Sequence, residues 1–252
     1  MKIIYEKPKS VTDKPFHYCP GCGHGTVHRI IGEVMDELGI TDNTIGVMPV
    51  GCAVMGYDYF ECDTMQAAHG RAPAVATGIK RSVPDRVVFS YQGDGDLAAI
   101  GTAETIHAAA RGEAITVIFI NNAIYGMTGG QMAPTTLEGQ ITQTTPRGRD
   151  PYTQGFPLRM CEILSQVDGA AYIERCAIDT PANIRAAKNA VKKAFKYQIE
   201  HGAYSFIELL CACPTNWRMS PADAVKWVSS EMRGYYPTGV YRDIYKADSR
   251  EV

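Results

Sequence analysis

The sequence predicts an α/β protein built on a doubly wound, mostly parallel sheet with helices on both faces. Three observations carry that expectation. Two apolar runs, Arg86 to Tyr91 and Ile115 to Asn121, have the length and continuity of strands buried on both sides. Between them the chain breaks at Gly93-Asp94-Gly95, then takes up a helical pattern through Leu97, Ile100, Ile106 and Ala110 to Arg111-Gly112. Strand, turn, helix and strand make a βαβ unit, whose ligands sit beyond the carboxyl ends of its strands.

At the N-terminus, residues 1–18, with Pro8, Pro15 and scattered charge, read as an irregular arm. The stretch CPGCGHG places Cys19 and Cys22 on a turn before a helix, whose apolar positions Val27, Ile30, Ile31, Val34, Met35 and Leu38 end at Gly39. A strand is expected over residues 44–50, with Cys52 just beyond it. AHGRAPAVATG, residues 68–78, opens a helix of small residues. The polar stretch from Gly126 to Gly155 is too long for a plain connection and is expected to be functional. Arg147 and Arg149 within it are read as substrate-gating or subunit-facing.

A helix over 156–166 and a strand over 171–175 come next. Thr180-Pro181 then starts a helix to Glu200, with Ile184, Val191, Phe195 and Ile199 buried and its lysines solvated. The last strand is expected over 205–210, with Cys213 just past it. From residue 214 the chain reads as an irregular, aromatic, partner-facing tail. The whole is expected to be one domain, 1–252, which is long enough for a sizeable core.

A formal charge of −2 gives no reason to expect nucleic acid or a membrane surface as partner. No apolar run reaches the roughly 18 residues of a membrane span, and no signal peptide is read at the start, so the expected location is the cytoplasm. Eight cysteines with one C-x-x-C point to metal or redox chemistry and not to a disulfide framework. Cys62, Cys161 and Cys176 read as packed core thiols. Half a zinc site is one reading of Cys19 and Cys22, but no second C-x-x-C or histidine pair accompanies them. An iron–sulfur cluster requires four thiolates, for which Cys52 and Cys213 are the candidates beside the pair.

Asp94 and Asn122, at successive strand ends, are hard oxygen donors of the kind Mg²⁺ takes together with phosphates. Gly93 and Gly95 clear side chains from a turn where a diphosphate approaches backbone and helix N–H groups. The segment GDG…NN resembles the thiamine diphosphate motif, which implies Asp94, Asn122 and the carbonyl of Ile124 as Mg²⁺ ligands.

Taken together, CPGCGHG, VGC, AHGRAPAVATG, GDGDLAAIGTAE, NNAIYGMTGGQ and CPTNW resemble the β subunit of the 2-oxoacid:ferredoxin oxidoreductases. The likeness runs from Cys19 to the YPTGVYRD tail. It implies thiamine diphosphate, Mg²⁺ and one [4Fe–4S] cluster, the cluster held by Cys19, Cys22, Cys52 and Cys213. Cys211 competes with Cys213, because i and i+2 of a strand share a side. Cofactor contacts are implied at Val50, Gly51, Cys52 and Ala53, at His69, and at Gly93, Gly95 and Asp96. Gly126, Met127 and Thr128 are implied on the same grounds. His69 is expected to donate to the diphosphate, Arg71 to pair with an anion, and His24 to lie beside the cluster.

The implied activity is coenzyme A-dependent oxidative decarboxylation of a 2-oxo acid to acyl-CoA and CO₂, with electrons passing through the cluster to ferredoxin. An α subunit, with γ and ferredoxin-like δ subunits as further members, is the implied partner, and it supplies the activating glutamate. The chain alone is therefore expected to be inactive. GTAETIHAAARGE and MTGGQMAPTT look closest to the 2-oxoisovalerate type, with 2-oxoglutarate next and pyruvate third. The competing readings are a non-redox thiamine diphosphate enzyme and a noncatalytic zinc-bound assembly subunit.

Overall fold

The computed structural model describes residues 6–246; the first five residues of the expected arm and the last six of the tail lie outside the described residues. The strands are β1 Thr44–Met48, β2 Asp63–Gln66, β3 Val87–Gly93, β4 Thr116–Asn121, β5 Ala170–Ala177, β6 Tyr204–Leu210 and β7 Gly239–Asp243. They form one sheet in the order β2-β1-β3-β4-β6-β5-β7, parallel throughout except for the antiparallel pair of β5 and β7. β4 and β6 are buried along their whole length, as a strand covered on both faces must be.

The longer helices are α1 Gly23–Leu38, α2 Ala72–Ser82, α3 Thr102–Ala110 and α6 Pro181–His201, and the shorter ones are α4 Pro151–Gln154, α5 Met160–Ser165, α7 Pro214–Trp217, α8 Pro221–Trp227 and α9 Arg233–Tyr235. α1 and α6 cover one face of the sheet, over Phe89, Tyr91, Ile118 and Ile207. α2, α3 and α5 cover the other, over Val88, Val117, Phe119 and Phe206. Each buried phenylalanine contributes roughly 2–3 kcal/mol of burial, so the two layers fix the sheet between them. α6 starts as its sequence demands, with the Thr180 side chain accepting from Asn183 N and a proline in the first turn.

Several expectations are corrected. β2 and β7 had no strand signature: β2 is largely exposed and β7 is a half-exposed edge, so neither shows the apolar run of a buried strand. β6 is therefore not the last strand. The helix after Gly95 begins as a π turn, Gly95–Ile100, whose wider winding shifts the phase of the turns after it. Leu97, Ala98, Thr105, Ala108 and Ala109 face inward, while Ile100 is 51% exposed.

α5 starts at Met160, leaving Phe156 exposed. On α6, Ala187, Ala190 and Ala194 join Val191 and Phe195 in the buried face and Ile199 does not. Its lysines are not simply solvated: Lys188 and Lys192 reach Glu33 and Glu37 of α1. The tail folds into α7 to α9 and β7, and Trp217, Val228, Met232 and Tyr236 pack over Ala123, Ile124 and Leu210. Val240, Ile244 and Tyr245 of this segment stay exposed.

Candidate functional site

Parallel pairing of β3 with β4 sets Gly93 beside Ile120, so the loops that leave these strands start side by side. Asp94 caps the π turn. Its Oδ1 accepts from Gly95 N at 2.8 Å, and its Oδ2 accepts from Ile124 N at 3.1 Å and from the Thr135 hydroxyl at 2.7 Å. Burial still pushes its carboxyl up to about 6. At the end of β4, Ala123 takes a left-handed backbone, φ +56°, at a cost of about 1–2 kcal/mol. That single residue brings the side chain of Asn122 and the carbonyl of Ile124 to one point.

The two groups meet Asp94 there. With its amide nitrogen turned inward, Asn122 donates to Asp94 Oδ2 at 3.2 Å and to Ile124 O at 2.8 Å. Adjacent oxygens of an octahedral Mg²⁺ stand about 2.9 Å apart when Mg–O is 2.0–2.1 Å. With the amide oxygen inward, the same three positions supply carboxylate, amide and carbonyl ligands, the amide standing near octahedral spacing from each of the other two. The donor set fits a magnesium ion.

One cleft is lined by all the residues expected at the cofactor. The wall from Val50 to Ala53 faces Gly93 to Asp96, with His69, Asn122, Ile124 and the run from Tyr125 to Thr128 around them, and His24 at its inner end. The two glycines of the turn serve different needs. A Cβ on Gly93 would stand in open space on the cleft side, whereas one on Gly95 would lie 2.0 Å from the Tyr125 ring. Packing against Tyr125 is thus a second reason for glycine at position 95.

Asp96 accepts from His69 Nδ1 at 2.5 Å, Gly70 N at 2.6 Å and Gln92 Nε2 at 2.7 Å, which fixes the His69 ring and leaves Nε2 for the cleft. Arg71, expected to pair with an anion, is paired with the Glu104 carboxylate. Arg149 is buried and donates to the carbonyls of Pro134, Thr136, Gly155 and Phe156. It holds the long loop in shape and does not face a partner. A roomier hollow of about 560 Å³ at the opposite strand ends gathers Lys80, Arg81, Arg86 and Glu113. Those charges already engage one another, Asp63 or backbone carbonyls.

The four expected cluster cysteines gather behind the cleft wall. Cys19 and Cys22 close a turn, with Cys22 N donating to Cys19 O at 3.0 Å. The sulfurs of Cys52 and Cys213 lie 3.2 and 3.8 Å from where a Cβ on Gly126 would stand. Asn216 Nδ2 donates to Gly126 O at 3.0 Å and to Cys213 Sγ at 3.4 Å. Burial pushes the Cys22 thiol up to about 12, and Cys213, Cys52 and Cys19 push it the same way. Burial likewise raises Cys52 to about 11, with Cys213, Cys19 and Asp94 adding to it.

Among the described residues no three His, Cys, Asp or Glu side chains converge on a single ion. Cys62, Cys161 and Cys176 are buried in the core layers as expected. β6 ends at Leu210, so strand alternation does not relate Cys211 to Cys213. Cys211 packs on Gly23, where an added Cβ would fall 2.6 Å from its own.

Sequence reasoning missed four residues of this site. Ala123 sits within NNAIYG, but nothing local marks its left-handed backbone. Asn216 and Trp217 lie in CPTNW; Trp217 Nε1 donates to Asn122 O at 3.0 Å and anchors the asparagine turn to the cysteine loop. Thr135 carried no signal at all.

Beside the cysteines, His24 Nδ1 lies 2.6 Å from the Tyr91 hydroxyl and His28 Nε2 lies 2.7 Å from that of Tyr18, with Tyr18 stacked on His24. Burial lowers both imidazoles, His24 to about 3 and His28 well below its ordinary value. Both bind a proton more readily unfolded, near pH 6.5, than folded. Stability is therefore full above pH 6.5 and falls as pH drops toward the folded values, by up to about 1.4 kcal/mol per pH unit for each histidine. Urea unfolding of the chain at pH 7.5 and 5.0 should show this loss, and His28→Gln should reduce it.

Comparison with known proteins places this geometry. Residues 49–209 match the family described as thiamine pyrophosphate enzyme, C-terminal TPP binding domain. The chain is 50% identical, over 95% of its length, to ketoisovalerate oxidoreductase subunit VorA of Methanothermobacter thermautotrophicus, and spans half the length of that relative. It is 36% identical to 2-oxoglutarate synthase subunit KorB of Archaeoglobus fulgidus, over 92% of this chain and 83% of that one. Among solved structures, 2-oxoglutarate:ferredoxin oxidoreductase from Magnetococcus marinus, with 2-oxoglutarate, coenzyme A and succinyl-CoA bound, superposes with a TM-score of 0.76 at 26% identity. That match covers 96% of this chain and 86% of the other. No helix among the described residues is long and apolar enough to cross a membrane.

Proposed function

The chain belongs to the thiamine diphosphate-binding subunits of the 2-oxoacid:ferredoxin oxidoreductases, and from that premise we propose that it holds thiamine diphosphate, Mg²⁺ and a [4Fe–4S] cluster for oxidative decarboxylation of a 2-oxo acid. Acyl-CoA and CO₂ are the products, and the electrons leave to ferredoxin. One observation carries the reading: at a left-handed turn the Asn122 amide stands 3.2 Å from Asp94 Oδ2 and 2.8 Å from the Ile124 carbonyl oxygen. The same cleft has Cys52 in its wall.

When bound, thiamine diphosphate supplies the nucleophilic carbon and the electron sink for loss of CO₂, and the cluster supplies the one-electron acceptor. The chain's own residues bind and orient. Asp94, Asn122 and the Ile124 carbonyl would hold Mg²⁺, and Gly93 leaves the turn open to a diphosphate. His69, held at Nδ1 by Asp96, turns Nε2 to an anionic oxygen in the cleft. Val50, Gly51 and Ala53 wall the cleft against water on one side, and Gly126, Met127 and Thr128 on the other. Cys19, Cys22, Cys52 and Cys213 would hold the cluster after each sheds a proton, a step that burial opposes at Cys22, Cys52 and Cys213.

An α subunit, with γ and δ subunits where present, is the partner in this reading and contributes the activating glutamate, so the isolated chain turns over nothing. The substrate is 2-oxoisovalerate, supported by 50% identity to a ketoisovalerate subunit against 36% to a 2-oxoglutarate one. In the test, the assembled complex reduces a viologen with 2-oxoisovalerate, 2-oxoglutarate or pyruvate, each with and without coenzyme A. The highest kcat/KM should belong to 2-oxoisovalerate. A preference for 2-oxoglutarate would overturn the substrate, and no coenzyme A-dependent reduction with any of the three would overturn the reaction.

A further inference from the structure

The C-terminal segment reaches Asp94 and the Asn122–Ile124 turn from outside the cleft, along two separate chains of hydrogen bonds. The first starts at Tyr236, which is fully buried. Its hydroxyl donates to the Thr135 carbonyl at 2.7 Å, and the Thr135 hydroxyl donates to Asp94 Oδ2 at 2.7 Å. The second starts at the Tyr241 hydroxyl and the Pro237 carbonyl, which accept from Arg175 Nη1 at 2.6 and 3.2 Å. Arg175 Nε donates to Glu208 Oε2 at 2.8 Å, and Asn121 Nδ2 donates to Glu208 Oε1 at 2.7 Å. Asn121 Oδ1 then accepts from Ala123 N at 3.2 Å. The chain ends on the left-handed residue that sets Asn122 and Ile124 together.

Arg175, Glu208 and Asn121 are wholly buried. Such an ion pair is a poor device for stability alone, because desolvation costs several kcal/mol per ion and well-packed apolar residues are often as stable. An apolar replacement cannot impose direction. Glu208 fixes the orientation of the Asn121 amide, and that amide is what engages the strained turn. The Tyr236 chain acts likewise on the carboxylate, because Thr135 has a backbone carbonyl for the tyrosine and a hydroxyl for Asp94.

We infer that residues 236–241 form a positioning clamp on the divalent-cation site, holding Asp94 through Tyr236 and Thr135, and the Asn122–Ile124 turn through Arg175, Glu208 and Asn121. The inference rests on the reading of Asp94 and Asn122 as metal ligands. The clamp groups touch no substrate; they act by keeping the ligand oxygens at octahedral spacing. Partners of this kind behind a ligand are worth about 10- to 100-fold in metal affinity.

The test uses the assembled complex with thiamine diphosphate and with the cluster oxidised, titrated with Mn²⁺ and read by electron paramagnetic resonance. Tyr236→Phe and Thr135→Val should each weaken Mn²⁺ about tenfold, Glu208→Gln should do the same, and Thr135→Ser should restore wild-type affinity. Iron content and melting temperature of Tyr236→Phe should match the wild type, which a merely structural role would not combine with lost affinity. Wild-type Mn²⁺ affinity in both Tyr236→Phe and Thr135→Val, with Asp94→Asn weakened, would overturn the clamp alone. Wild-type affinity in Asp94→Asn as well would overturn the metal reading and the clamp together.

Discussion

Asp94→Asn in the assembled complex should lose Mg²⁺-dependent thiamine diphosphate binding and lower kcat/KM by roughly a thousandfold or more, while leaving the brown cluster absorption intact. The size of the effect comes from what the carboxylate does. It is the charged member of the three-oxygen set, and it is held by three donors, from Gly95, Ile124 and Thr135. An amide in its place turns an –NH₂ either toward those donors or toward the cation. Either arrangement leaves buried donors facing each other or the metal, at about 1–3 kcal/mol for each unmet group. Asparagine is a better test than alanine, which would leave all three donors around a void. Isothermal titration with thiamine diphosphate and Mg²⁺, beside the visible spectrum, separates loss of the metal site from loss of the fold. Wild-type binding by this variant would remove the metal assignment.

The second large effect divides two cysteines that are neighbours in sequence. Cys213→Ser should lose iron and acid-labile sulfide and the visible absorption with them, together with ferredoxin or viologen reduction. Cys211→Ser should keep all of these. Cys213 faces Cys52 across Gly126 and takes a hydrogen bond from Asn216, whereas Cys211 is packed on the first turn of α1 at Gly23. Serine at 211 places a hydroxyl in a closed site and is expected to cost about 1–3 kcal/mol of stability without touching the metal centre. Iron analysis of the two purified complexes decides the matter. Retention of iron in Cys213→Ser with its loss in Cys211→Ser would reverse the assignment.

The long loop shows why some of the site was hidden. Composition marks residues 126–155 as functional, yet gives Arg149 and Arg147 the same meaning. In the fold Arg149 is spent on backbone carbonyls that keep the loop closed, while Arg147 stays exposed. Thr135 is one threonine among several until the loop folds back over β3 and sets its hydroxyl on Asp94. The C-terminal segment is similar. Its aromatic residues suggest a surface for another chain, but Tyr236 is buried and β7 closes an edge of the sheet.

By itself the sequence determined the parallel α/β sheet and the βαβ unit around Gly93-Asp94-Gly95, because apolar runs, turn glycines and donor chemistry are properties of neighbouring residues, and its resemblance to a known family implied the other residues that line the cleft. Only the tertiary structure decided the phase of the helix after the π turn, the choice of face for Cys211 and Cys213, and the hold of Tyr236 and Glu208 on the asparagine turn. Those depend on contacts between residues far apart in the chain, where burial and hydrogen-bond geometry, and not local periodicity, set the energy.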